Sequence, residues 1–105
     1  MADTVMIEIF GPLDDVEGAI LALPSVATSV RTERGALVAR APEVSLWVSR
    51  DADPVTVVLS NRPDVNPEVA AAVYEHLAAV LPFEIRLFDG DTDEIARERG
   101  EVPAA

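Results

Sequence analysis

The chain has 105 residues, half of them apolar, and its nineteen carboxylates against eight basic residues, all arginine, give a formal charge of −11. That length fits a single core, the apolar half excludes intrinsic disorder, and the lack of cysteine excludes a disulfide framework or a thiolate metal site. So acidic a surface repels phosphate backbones and anionic headgroups and attracts cations over about 8 Å at physiological salt, which argues against nucleic acid and membranes as partners.

Residues 5–10, Val-Met-Ile-Glu-Ile-Phe, alternate as a strand does, and Gly11-Pro12 ends it. Asp14 and Asp15 then open a short amphipathic helix over residues 16–23, with carboxylates where the helix dipole favours them, and Pro24 stops it. Residues 26–33 and 36–41 read as a hairpin turning on Arg34-Gly35. Residues 44–49, Val-Ser-Leu-Trp-Val-Ser, give the cleanest alternation, and residues 55–60 repeat it after the acidic turn Arg50-Asp51-Ala52-Asp53-Pro54, so the two are expected to pair.

Asn66, Pro67 and Glu68 stand in the order of an N-cap, a first-position proline and a first-turn acid, predicting a helix from residue 67 to about 81 that Pro82 ends. Residues 83–88 form a last strand, and Asp89-Gly90-Asp91 turns into a charged tail, residues 91–105. There Asp91 and Glu94 would cap a short helix paired through Asp93 and Arg97. Residues 1–90 are thus expected to be one α+β domain of order β-α-β-β-β-β-α-β. The expected architecture is a two-layer sandwich whose antiparallel or mixed sheet of five to six strands carries both helices on one face. No apolar run approaches the roughly 18 residues of a membrane span. The opening Met-Ala-Asp-Thr lacks the basic start of a signal peptide, so a cytoplasmic location is expected.

Because side chains alternate across a strand, Val5, Ile7, Ile9, Val44, Leu46, Val48, Val55, Val57, Leu59, Phe83, Ile85 and Leu87 form the face turned to the helices. The opposite set contains Met6, Glu8, Phe10, Arg31, Glu33, Val38, Arg40, Trp47, Thr56, Val58, Glu84, Arg86 and Phe88. Three of the chain's five aromatic residues fall on this outward face, mixed with arginines. Tryptophan and arginine are enriched where proteins bind each other. Phe10, Trp47, Phe88, Arg40 and Arg86 are therefore the candidate partner-binding residues, joined by the acidic loops Asp51 with Asp53 and Asp89 with Asp91 and Asp93 as sources of long-range attraction.

No catalytic, cofactor or metal residues are assigned. His76, the only histidine, falls within the helical stripe of Val69, Val73, Leu77 and Val80 and has no evident nucleophile beside it. Residues 89–93 space carboxylates as a calcium loop begins, yet Glu94 stands where such a loop needs glycine and Gly100 where it needs its bidentate glutamate. Asp14 with Asp15, and Asp51 with Asp53, lie where helix starts and turns ordinarily use Asp. Base stacking on the aromatic face would need a basic groove that the chain does not supply. The leading expectation is a small acidic protein-binding domain, an immunity- or antitoxin-type inhibitor of a basic protein, with self-association as the other use of the same face. The alternative is a small dimeric α+β enzyme or ligand-binding protein with a pocket between sheet and helices near His76.

Overall fold

The computed structural model describes residues 4–61, 64–92 and 94–103. Among them the chain runs β1 (Thr4–Ile9), α1 (Leu13–Leu21), β2 (Thr28–Arg31), β3 (Leu37–Ala41), β4 (Val44–Val48), β5 (Val55–Ser60), α2 (Pro67–Val80), β6 (Ile85–Phe88) and β7 (Ile95–Arg99). The strands make one antiparallel sheet in the order β2-β3-β4-β5-β1-β6-β7. The four middle strands of the sequence form a meander, and β1 is inserted beside its last member, pairing Thr4 with Ser60 and Ile9 with Val55. No helix among the described residues is long and apolar enough to cross a membrane.

Both helices lie against one face of this sheet. Ile7, Ile9, Leu46, Val48, Val57, Leu59 and Ile85 from the strands share a single buried cluster with Val16, Ala19 and Ile20 of α1 and Ala70, Val73, Tyr74 and Leu77 of α2. Each large aliphatic side chain buried here contributes about 1.5–3 kcal/mol relative to exposure. The strands supply every second residue to that cluster, as their alternation requires.

The helix starts follow from local chemistry. The Asn66 side chain accepts the Glu68 N–H at 2.9 Å and Pro67 takes the first helical position, a cap worth about 1 kcal/mol. Helix α1 begins at Leu13, earlier than its apolar periodicity suggests, because Pro12 stands at its N-cap, still extended, as well as ending the strand. Its carbonyl accepts the Val16 N–H at 3.2 Å, and Asp14 and Asp15 sit in the first turn. Gly11 just before it is fixed by packing: a Cβ there would land in the Phe83 ring.

Two departures from the sequence-based expectation matter. The sheet has seven strands rather than five to six, because residues 95–99 pair with β6 where a charged tail or short helix was expected. The Arg99 guanidinium donates to the carbonyls of Ala78, Leu81 (2.6 Å) and Phe83 (2.7 Å), capping the end of α2. Arg97 pairs with Glu75 at 2.9 Å and lies over the Tyr74 ring at 5.0 Å. The alternating arginines of the tail are thus the residues that dock it. Secondly, Arg31 and Glu33 are not on the outward face. The β2–β3 register sets Val30 opposite Val38 and Arg31 opposite Leu37, so Arg31 belongs to the helix side and Glu33 falls in the following turn.

Candidate functional site: the open face of the sheet

The face away from the helices carries the residues that the core does not take, and the register aligns them in rows across the sheet. One row is apolar throughout: Val30 pairs with Val38, Val38 with Trp47, Trp47 with Val58 and Val58 with Met6. One step past the Ile7–Leu87 pair, Phe88 continues it on β6, and Ile95 partners Phe88 on β7. Every strand therefore contributes one apolar side chain to a strip that crosses six inter-strand gaps, about 29 Å. Val30 is 56% exposed, Trp47 46%, Ile95 45% and Met6 37%, whereas Val38 is only 6% exposed between Val30 and Trp47.

Polar rows bound the strip. On one side run Thr28, Arg40, Ser45, Ser60 and Thr4. On the other, Glu8 faces Thr56 and Arg86, and Arg86 faces Glu98. Arg86 is held within the face, 3.2 Å from Glu84 and 3.6 Å from Glu98, with its guanidinium 5.0 Å from the centre of the Phe10 ring.

Phe10, Trp47 and Phe88 therefore do not adjoin one another. Phe10 lies beyond the Glu8–Arg86 row, about 13 Å along β1 from Met6, and its ring is occupied by Arg86. Trp47 and Phe88 share the strip but are separated by β5 and β1, with Val58 and Met6 between them. Aliphatic residues bind the patch together. Arg40 is exposed in the row beside the strip. The acidic loops also separate. Asp51 and Asp53 lie in the β4–β5 connection at the end where β1 finishes, and Asp89 and Asp91 in the β6–β7 connection at the end where it starts. About 17 Å of strand divides them, and Asp93 lies outside the described residues.

Sequence reasoning missed Glu17. It is buried at 6% exposure and takes two hydrogen bonds of 2.9 Å from Arg31, which also donates to the Gly35 carbonyl at 3.0 Å. Those hydrogen bonds hold the Glu17 carboxyl below the ordinary carboxylate range, against the opposing effect of burial. The pair ties the edge strand β2 to α1. The signal in the sequence was an acid directly after the buried Val16, inside an apolar helix.

His76 is half-buried on the flank of α2, and its Nε2 has no hydrogen-bond partner among the described residues. Neither of two surface clefts, one of about 370 Å³ beside the start of α2 and one of about 420 Å³ beside Arg97 and Arg99, is lined by it. No group of three or more His, Cys, Asp or Glu among the described residues is arranged to hold a metal ion. The chain matches no protein family, no curated protein and no solved structure.

Proposed function

We propose that the protein is a cytoplasmic protein-binding module whose open sheet face docks a basic partner, as an immunity- or antitoxin-type inhibitor does with a cationic toxin. The observation that carries this reading is the apolar strip to which every strand adds one residue, with Val30, Trp47, Met6 and Ile95 exposed along it. Such a strip, bounded by polar rows, has the anatomy of an interface core and rim, with Trp47 as its largest anchor. Acidic loops at both ends of the strands match a partner that presents an apolar band between two basic margins. A charge of −11 steers such a partner in and opposes a second copy of the same chain.

The test pairs capture with hydrodynamics. Immobilised wild type is expected to retain a basic protein that Trp47→Ala releases, the truncation weakening binding about 30-fold or more. Rising salt should slow association much more than it speeds dissociation, and the free protein should sediment as a monomer. A dimer that Trp47→Asp dissolves would assign the face to self-association, and an association rate indifferent to salt would remove the electrostatic half of the proposal.

A further inference from the structure

The outer edge of β2 ends the sheet among the described residues, and all four residues of that strand are exposed. Its pairs with β3 run without a register shift from Thr28–Arg40 to Arg31–Leu37, and the Thr32 N–H donates to the Ala36 carbonyl at 2.9 Å in the same register. That bond sets the parity of the ladder. In an antiparallel pair only every second residue bonds to its opposite number, so Thr28, Val30 and Thr32 turn their backbone groups to β3. Ser29 and Arg31 turn theirs outward, each presenting an N–H and a C=O to the open edge. We propose that this edge receives an extended segment of the basic partner, antiparallel to β2 and centred on Val30, which rests on the docking role of the open face for the partner's charge.

Three observations select that occupant. Extended backbone is what offers donors and acceptors at the repeat of the Ser29 and Arg31 groups, so the edge specifies a strand by its own chemistry. A residue placed opposite Val30 would form a non-hydrogen-bonded pair, the closer kind, with its side chain on the open face. An apolar residue there would carry the row of Trp47, Val38 and Val30 past the margin of the chain and into the partner, continuous with the strip. Nor is the edge guarded by charge. Arg31 is the only charged side chain of β2, it belongs to the helix side, and Glu17 takes it up in two hydrogen bonds of 2.9 Å. A basic strand thus meets no unpaired cation within β2, and the charge of −11 draws it in while holding off a second copy.

The probe is a capped heptapeptide, Arg-Thr-Thr-Val-Thr-Thr-Arg, followed by amide chemical shifts of the full chain. It should give saturable shifts at Ser29, Val30 and Arg31. N-methylation of its third and fifth residues, which face β2 in this register, should weaken binding about ten-fold or more, the loss of two hydrogen bonds. N-methylation of the central valine, whose N–H points away, should change it by about two-fold at most. Ser29→Pro removes an outward N–H and no bond to β3, a place that edge strands allow proline. It should abolish peptide binding and release the basic partner, with the amide spectrum of β3 to β5 kept. Trp47→Ala, two strands away, should leave the peptide bound while releasing the partner, so the edge and the open face are read separately. Partner release by Ser29→Pro alone would remove the open-face anchor and leave the edge standing. The proposal is overturned if the peptide gives no saturable shift in β2 at millimolar concentration, if its N-methylated forms all bind alike, or if Ser29→Pro keeps the partner that Trp47→Ala releases. A free protein that sediments as a dimer until Ser29→Pro dissolves it would give the edge to a second copy, and overturns the proposal too.

Discussion

The two edges of the sheet are held in opposite ways. At one edge β7 adds no residue to the buried core, yet it is bound by arginines: Arg99 to three carbonyls at and just past the end of α2, Arg97 to Glu75 and Tyr74. Its pairing with β6 is also broken by an irregularity at Leu87/Phe88. Charge and a register shift are the ordinary means of keeping an edge strand from pairing with another chain. At the other edge β2 is four residues long, exposed throughout, and fastened to α1 chiefly by the Arg31–Glu17 pair. This small protein thus secures its margins with long cationic side chains rather than with core, and the two fastenings answer to different variables. Arg99 of β7 relies on neutral carbonyl acceptors, whereas Arg31 of β2 relies on a buried ionisable one.

The strongest way to break the comparison is Arg99→Ala. It removes the cap from the end of α2 and should cost about 2 kcal/mol, with amide exchange rising over residues 95–99 and not over residues 28–31. Equal protection of β7 in wild type and variant would show that the β6 ladder alone holds that edge. A smaller effect, a few degrees of melting temperature at neutral pH, is expected for Glu17→Ala, and pH sharpens it. The carboxyl of Glu17 is lowered in the folded state, so its stabilisation is fully present above the unfolded value of about 4.3 and is lost as pH falls through the folded one. The gap between wild type and Glu17→Ala should therefore close on acidification while that for Arg99→Ala persists. Smallest of all should be Val30→Lys, on the exposed part of β2, with a change of about 0.5 kcal/mol or less. A large loss there would mean that the apolar strip stabilises the fold as well as serving docking.

Much of this architecture was readable from the chain. The alternation of β4 and β5 and the Asn66-Pro67-Glu68 start of α2 are local signals that tertiary context did not overrule. β7 was not readable, because Arg97, Glu98 and Arg99 look like a solvated tail until the carbonyls of residues 78, 81 and 83 are brought to them by the fold. The open face was legible in part. Period two placed Met6, Trp47 and Val58 together, but assigning Arg31 outward displaced β2 by one residue, and a single-residue slip exchanges faces. The hairpin that sets the register turns through Thr32 and Ala36 with Gly35 at a φ of 86°, a detail that composition does not encode. Whether Phe10, Trp47 and Phe88 adjoin depends on strand order, and β1 inserting between β5 and β6 is a long-range event.

That insertion also shapes how the molecule must assemble. β1 finds its neighbours only when Ser60 and, later, Leu87 have been synthesised. A nascent chain can zip the β2–β5 meander early, but the second edge of β1 stays unpaired until β6 arrives, and topologies with such distant pairings fold slowly. A product truncated before β6 would therefore display β1, with the buried residues Ile7 and Ile9, as a bare margin of the sheet.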